Sequence, residues 1–424
     1  MNRFMLRILT AILCIMNTFS FPVSADAPDI KATGAILIDT QNSMVMYEKN
    51  STARIQPAGF TKIVTALVVL ENCNNLNEVI SASPETIAEC DFSFGNMGIL
   101  ANEELSVDAL LNGMLLYDAA EAAEVLAGYT FGNYNKFISA MNELAKKAGA
   151  LDTVFTNAGG YYDEQQYSTV ADISKIALYA MKNSAFSQIV KKDMAVIEPT
   201  NKYHETRYLS NTNMFVGRNR SLDFYSQRVS GVKTSYMKDF GYGICITFEN
   251  SKGNFLCVVS GAGNATEAHT EAQILRQYAA DGFTSVKIAK KDDIIEEVVV
   301  PNGKTDHVLL KTADDLYVCL PIGYDESKIY KISTKDNNIS APIEKDQVLG
   351  TLSVSYDGNE VGSTDLIAYS AVERSAGKSV RLFFISIFTS PLFYLPALAV
   401  LGAFAVMIYK ANISKLRKLK TKGK

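Results

Sequence analysis

The sequence predicts an α+β domain with an antiparallel sheet, followed by a small all-β module and a C-terminal membrane helix. Three observations lead to this fold class. Strand-like runs stand at both ends of the first 280 or so residues, and helical periodicity fills the chain between them. From about residue 285 the helical periodicity stops, and short apolar runs alternate with Asp, Asn, Gly and Pro turns. Residues 382–409 carry no charge and are numerous enough to span ~30 Å of hydrocarbon.

Residues 1–25 have the pattern of a secretory signal. Arg3 and Arg7 form a short basic start, a mostly apolar run follows, and Val23-Ser24-Ala25 supplies a small-residue cleavage site. We therefore expect the mature chain to begin at Asp26. An uncleaved membrane anchor is the alternative.

The domain over residues 26–283 begins with a predicted hairpin, in which Gly34–Asp39 and Met44–Glu48 flank a turn-rich stretch. A helix over Phe60–Asn72 follows Pro57, since a proline commonly precedes a helix start. The periodicity further predicts one or two helices over Leu105–Tyr129, helices over Asn135–Ala148, Thr169–Met181 and Glu267–Ala280, and strands over Val229–Thr234, Tyr242–Phe248 and Phe255–Ser260.

The residues after this domain form three predicted segments. Residues 284–375 are the all-β module, residues 382–409 the transmembrane helix, and residues 410–424 a tail with seven basic residues and no acid. The excess of positive charge predicts that the tail is cytoplasmic and that the chain before the helix lies outside the cell. We thus expect a single-pass protein of the cell membrane.

Charge and composition exclude several classes of function. The formal net charge is −4; setting apart the seven basic residues of the tail and the two of the signal leaves −13 on the body. An acidic body argues against nucleic acid as a partner. The five cysteines after residue 25 lack a metal-site or disulfide-framework spacing, and the three histidines are scattered, so we expect no metal and no cofactor. A bond between Cys245 and Cys257, across a hairpin, stays open.

Segments that match one known family occur in order along most of the chain. They are Ala35–Asp39, Tyr47–Asn50 and Pro57-Ala58 near the start, Tyr167–Thr169 and Asn211–Asn213 in the middle, Val232–Thr234 in a late strand, and Ala341-Pro342 in the β module. Together they resemble the low-molecular-mass penicillin-binding proteins, the serine D-alanyl-D-alanine carboxypeptidases of the bacterial cell wall. The resemblance implies a β-lactamase/transpeptidase-like fold and a site built from the motifs S-x-x-K, S-x-N and K-T-G.

The first motif lacks its nucleophile. The resemblance places the serine of S-x-x-K at Gly59 and the lysine base at Lys62. In the family the lysine accepts the serine proton, and the serine attacks the terminal peptide carbonyl to form an acyl-enzyme. Thr61 is a poor substitute, because it adjoins Lys62 and helix neighbours diverge by about 100°.

The other two motifs are altered as well. Asp118 stands at the serine position of S-x-N and Ala120 at the asparagine position. The third motif becomes Lys233-Thr234-Ser235, in which Ser235 replaces a glycine that lets substrate lie close to the strand. Lys233 and Thr234 still provide a charge and a hydroxyl suited to a substrate carboxylate.

The surviving charges lead to a hypothesis about the cleft. Two lysines without a substrate would concentrate positive charge, and Asp118 adds a carboxylate to the same place. We expect Asp118 to pair with Lys62, because removing one partner of a buried pair strands the other charge.

Three functions fit these residues. In the first, the chain is an inactive relative that binds peptidoglycan stem peptides or a partner wall enzyme. In the second, it is a residual or altered hydrolase that uses Thr61 or a water held by Asp118 and Lys62. In the third, it is a membrane-anchored structural protein with a vestigial cleft.

Overall fold

The computed structural model describes residues 27–41, 44–375, 401–411 and 413. Two compact units divide the chain. The first contains the residues up to Ile288 together with Tyr317–Tyr330 and Val354–Gly362, and the second contains Ala289–Leu316, Lys331–Ser353 and the residues from Ser363 on. The residues that concern the site all belong to the first unit.

The first unit is built on a five-stranded antiparallel sheet of order β2-β1-β9-β8-β7. Its N-terminal hairpin lies beside the C-terminal strands because β1 pairs with β9, for example Ile36 with Val258. The order leaves β7 at one edge of the sheet. The strands are β1 (Gly34–Asp39), β2 (Val45–Lys49), β7 (Val229–Met237), β8 (Gly241–Asn250) and β9 (Gly253–Ala262).

Helices and two short two-stranded sheets complete this part of the chain. The helices are α1 (Thr61–Asn72), α2 (Pro84–Glu89), α3 (Val107–Leu116), α4 (Ala120–Phe131), α5 (Tyr134–Lys147), α6 (Val170–Met181), α7 (Ser184–Val190) and α8 (Ala265–Gly282). The short sheets pair β3 (Val79–Ser81) with β4 (Glu104–Ser106), and β5 (Met194–Ile197) with β6 (Arg207–Ser210).

Helix α1 lies at the centre of the hydrophobic core. Its residues Thr61–Val69 are all buried, and it contacts each helix from α3 to α7. None of these nine residues is exposed to solvent, so the start of α1 is held in place by packing on all sides. A 3₁₀ turn over Ala58–Phe60 precedes it.

The helices and strands predicted for the first domain are confirmed, with ends that differ by a few residues. The stretch Leu105–Tyr129 contains two helices, α3 and α4, which are interrupted at Tyr117-Asp118-Ala119. Helix α6 begins where its cap predicts, since Thr169 Oγ1 accepts a hydrogen bond from Asp172 N at 3.0 Å.

The all-β character of the C-terminal module is confirmed. Its main sheet has the order β11-β12-β16-β15-β14, and a smaller sheet pairs β10 with β13. The strand-like runs of the sequence, which correspond to β11 to β15, are Ile294–Val300, His307–Lys311, Leu316–Leu320, Lys328–Ile332 and Val348–Val354, whereas β10 and β16 were not predicted. The strands are β10 (Phe283–Ala289), β11 (Ile294–Val299), β12 (His307–Thr312), β13 (Leu316–Pro321), β14 (Ile329–Lys335), β15 (Val348–Tyr356) and β16 (Asn359–Ala368).

The two hydrophobic segments predicted at the chain ends fall mainly outside this description. Residues 1–25 and residues 382–400 lie outside the described residues, as does most of the basic tail. Residues 401–411 are helical. Within the described part of the chain, no helix has the length and apolar character that crossing a membrane requires.

The open question of a Cys245–Cys257 bond is answered by strand register. Cys245 lies opposite Val258 and Cys257 opposite Ile246 in the β8–β9 pair. Opposed residues share a face and successive residues alternate, so the two thiols lie on opposite faces of the sheet. Both are buried free cysteines.

Candidate functional site

The three altered motifs meet at one place in the first unit. Gly59 lies in the 3₁₀ turn before α1, Asp118 in the break between α3 and α4, and Thr234 and Ser235 on edge strand β7. A Cβ built on Gly59 would contact atoms of Thr234, Ser235 and Asp118. The residues that the sequence assigned to one site are therefore brought together.

The nucleophile position has no room for a side chain. A Cβ on Gly59 would lie 2.7 Å from Thr234 O, 2.9 Å from Ser235 Cα and 3.2 Å from Asp118 Oδ1. The first two contacts are to strand backbone, which cannot swing aside as a flexible side chain can. Gly59 thus permits a close approach of β7 to the start of α1 that any other residue would prevent.

Ser235 also holds β7 close to the turn that contains Gly59. Its hydroxyl donates a hydrogen bond to Pro57 O at 3.1 Å, and the residue is buried. A glycine at this position could not make this contact. The side chain that was expected only to crowd a substrate instead links β7 to the turn that carries Gly59.

The break between the two helices presents Asp118 to the site. Asp118 has a φ of 67°, in the left-handed region that Asp tolerates better than most residues. Ala120 N then donates to Gly95 O at 2.8 Å as α4 begins. Ala120 itself is buried and has no polar side-chain atom, so the second motif contributes a carboxylate and no amide.

The hypothesis that Asp118 pairs with Lys62 is confirmed, and a second lysine joins the pair. Asp118 Oδ1 lies 3.0 Å from Lys62 Nζ and 2.7 Å from Lys233 Nζ. The contacts are close ion pairs rather than well-directed hydrogen bonds. The lysine side chains are 2 % and 0 % exposed, whereas that of Asp118 is 18 % exposed.

The ion pairs control protonation in the cleft. Burial opposes ionisation of Asp118, but the ammonium groups of Lys233 and Lys62 outweigh it and hold the pKa of the carboxyl below its usual value. Burial lowers the pKa of Lys233; the attraction of Asp118 opposes this shift, and the charge of Lys62 adds to it. Asp118 is therefore ionised at neutral pH and stabilises the charge of the buried Lys233.

The hydroxyl of the third motif is occupied as well. Thr212 Oγ1 donates to Leu116 O at 3.1 Å, and it lies 2.6 Å from Thr234 Oγ1. The two hydroxyls therefore share a short hydrogen bond in which either can be the donor. The Thr234 hydroxyl is thus already engaged within the protein, and Lys233 Nζ donates at 3.0 Å to Thr234 O.

Two buried acids of α4 escaped the sequence prediction. Glu121 Oε1 accepts from Met97 N at 2.6 Å, and Glu124 Oε1 accepts from Gly159 N at 2.8 Å. Burial raises the pKa of both carboxyls. They attach two loops to the helix that follows Asp118, and the only signal in the sequence was a pair of acids three residues apart in an alanine-rich run.

Thr61 is placed where it cannot reach a ligand. The residue is fully buried, and its hydroxyl has no hydrogen-bond partner. The site as a whole thus offers a carboxylate held between two ammonium groups, and the position of an attacking hydroxyl is filled by the backbone of β7.

This fold and this set of motif positions define the class of serine penicillin-binding proteins. Residues 22–264 match the family model described as D-alanyl-D-alanine carboxypeptidase, and residues 283–374 match that of the penicillin-binding protein 5 C-terminal domain. The chain belongs to the D-alanyl-D-alanine carboxypeptidase family. The resemblance stated from the motifs is confirmed.

Individual relatives cover most of the chain. The D-alanyl-D-alanine carboxypeptidase DacF of Bacillus subtilis is 29 % identical over 344 residues, which cover 80 % of this chain and 85 % of DacF. DacC of Escherichia coli is 25 % identical over 84 % of this chain and 88 % of DacC.

Solved structures support the fold. Penicillin-binding protein 5 of Haemophilus influenzae has a TM-score of 0.68 at 23 % identity, over 83 % of this chain and all of that one. The penicillin-binding protein 3 of Streptococcus pneumoniae, described as a peptidoglycan synthesis regulatory factor, has a TM-score of 0.68 at 22 % identity, over 82 % of this chain and all of that one. The transpeptidase-like domain and the all-β domain are thus those of the family.

Proposed function

We propose that this chain is a catalytically inactive member of its family. It acts at the cell wall by binding a partner protein or a stem peptide, and it does not cleave peptides. One observation carries the proposal. Gly59 stands at the nucleophile position, and the backbone of β7 lies where a serine side chain would project. Loss of the serine nucleophile in subtilisin costs a factor on the order of 10⁶ in turnover.

The alternative nucleophiles do not compensate for the missing serine. Thr61 is buried with no access to a ligand. A water activated by Asp118 would need a carboxylate free to accept its proton, but that carboxylate is paired with Lys62 and Lys233. The residual hydrolase is therefore the weaker candidate.

The ligand that the geometry favours is a partner protein, such as a wall enzyme. Tyr236, which follows Ser235 on β7, is exposed, as are Tyr162 and Phe240, and aromatic residues are enriched at protein interfaces. Tyr162 stacks on Phe240 at 5.8 Å, and Tyr236 stacks on Tyr242 at 4.3 Å. A stem peptide is the second candidate, supported by the two retained lysines, but its carboxylate would have to compete with Asp118.

We further propose that the chain is anchored in the cell membrane with its folded units outside. The support is the uncharged stretch over residues 382–409, the basic tail after it and the signal pattern before it. Fractionation of cells that produce the tagged chain tests this: recovery in the soluble fraction would contradict it.

Covalent labelling by a fluorescent penicillin tests the proposed inactivity. We expect the purified full-length chain to remain unlabelled, and DacF of Bacillus subtilis, as a carboxypeptidase of the same family, to serve as the reaction control. Stable labelling of the wild-type chain that a non-fluorescent penicillin prevents would refute the proposal.

Two variants refine the assay. Gly59→Ser restores a hydroxyl but leaves Asp118 paired with Lys62, so we expect no label. The combination of Gly59→Ser with Asp118→Ser, Ala120→Asn and Ser235→Gly restores all three motifs, and labelling of this variant alone would show that the scaffold can still support acylation.

A further inference from the structure

The cleft contains its own anion. Asp118 Oδ1 lies between the ammonium groups of Lys62 and Lys233, at 3.0 and 2.7 Å. No second carboxylate lies within ion-pairing distance of either lysine among the residues that the structure describes. Glu124 is the other acid that acts on Lys62 electrostatically, and it is already bound to Gly159 N.

We infer that Asp118 is the resident anion of this cleft and thereby decides its ligand specificity, excluding the carboxylates that two buried lysines would otherwise bind. The inference rests on the proposed function, because an enzyme that turned over peptides would need this position for substrate. In the wild type, Asp118 blocks the site formed by Lys62 and Lys233. When Asp118 is removed, this site binds a small carboxylate.

The exposed fractions of the three side chains support this blocking role of Asp118. Lys233 is 0 % exposed and Lys62 is 2 % exposed, whereas Asp118 retains 18 %. Asp118 is therefore the most exposed of the three side chains, although its paired oxygen Oδ1 is itself buried. We expect that shortening it makes the two ammonium groups accessible from solvent.

Charge provides the driving force. The formal charges of the three side chains sum to +1, and without Asp118 the two buried lysines would carry +2. Uncompensated buried charge is strongly unfavourable, so either one lysine gives up its proton or an anion from solution fills the emptied position, and we expect the second outcome. A carboxylate fits best, because it places the same type of oxygen between the same two donors.

The test replaces Asp118 by Ala in the full-length chain. The apparent melting temperature is measured while acetate replaces chloride at constant ionic strength. A ligand that binds only the folded state raises the melting temperature in proportion to the logarithm of its concentration once the site is saturated. We expect such a rise for Asp118→Ala and none for the wild type.

Calorimetry then identifies the ligand class. We expect D-alanyl-D-alanine to bind Asp118→Ala with a dissociation constant in the millimolar range or below, and to give no heat with the wild type. Adding Lys233→Ala should abolish this binding. Glu71→Ala, which unpairs the exposed Lys147, is the matched control and should show no acetate response.

Asp118→Ser is the second variant if Asp118→Ala does not fold, because its hydroxyl can accept from a lysine while the charge is removed. Folding of either variant only in the presence of carboxylate also supports the inference. An equal acetate response in wild type and variant overturns it. So does a lack of response in folded variants, or failure of both variants to fold with carboxylate present. These failures differ from penicillin labelling of the wild type, which would refute the proposed inactivity.

Discussion

Adding a single methyl group at Gly59 tests whether the backbone of β7 occupies the space where a serine side chain would lie. Gly59→Ala introduces a Cβ at 2.7 Å from Thr234 O and 2.9 Å from Ser235 Cα. Ordinary carbon contacts need ~3.5 Å or more, so β7 or the 3₁₀ turn must shift by several tenths of an ångström. The shift would also disturb the hydrogen bond that Ser235 Oγ donates to Pro57 O.

The expected cost follows from overpacking. Inserting a carbon into a well-packed place costs about 1–3 kcal/mol. A domain of this size loses about 2–4 °C in melting temperature for each kcal/mol. We therefore expect Gly59→Ala to melt several degrees below the wild type, and Gly59→Ser to melt at a similar temperature.

Thermal unfolding followed by circular dichroism is the assay, and Gly128→Ala is the matched control. Gly128 lies within α4, and a methyl group added there would have Thr86 Oγ1, at 4.0 Å, as its nearest neighbour. The control should be neutral or gain up to about 1 kcal/mol from helix propensity. A Gly59→Ala variant as stable as Gly128→Ala would refute the reasoning that β7 occupies the serine position.

Three further predictions concern the first unit and the cysteines. Glu103→Ala should lower the free energy of unfolding by about 3–5 kcal/mol, because Glu103 (0 % exposed) pairs at 2.7 Å with the Arg207 guanidinium (5 % exposed), which would be left buried without a partner. Glu71→Ala, at the exposed pair with Lys147, should lower it by less than about 1 kcal/mol. Chemical denaturation of the two variants measures the difference. Burial lowers the pKa of His269 below 6.5, so the unfolded chain binds its proton first as pH falls. Stability should then decrease below pH 6.5 by at most about 1.4 kcal/mol per pH unit, and less steeply in His269→Gln; equal slopes would contradict this origin. Reduction should leave the electrophoretic mobility unchanged, since all five cysteines that the structure describes are free.

Local sequence signals predicted most of the first unit. The hairpin of β1 and β2, the helices α1, α5 and α6 and the strands β7 to β9 each have a clear apolar period and a recognisable start. Strand β16 was missed because its first seven residues, Asn359–Asp365, are mostly polar and include a glycine. Its longest buried run is its last three residues.

The site was predictable as a set of positions but not as a geometry. The resemblance to the family placed Lys62, in the first turn of α1, and Asp118, between α3 and α4, in one cleft, and the structure brings them into contact. The shorter contact, between Lys233 Nζ and Asp118 Oδ1, depends on how closely β7 approaches the turn at Gly59. No local sequence pattern predicts the distance between β7 and this turn. The hydrogen bond between the hydroxyls of Thr234 and Thr212 joins residues 22 positions apart in the sequence, and no local pattern predicts it.

The contact between Gly59 and β7 has a consequence for the history of the gene. A serine introduced at position 59 would meet a strand held by Ser235 and a carboxylate that already pairs with Lys62. On the proposed function, we therefore expect this single substitution to destabilise the first unit without giving hydrolysis, and we expect the same lack of hydrolysis from changes at Asp118, Ala120 or Ser235 alone. Hydrolysis would then be reached only by several substitutions made together, so selection could not reach it one substitution at a time.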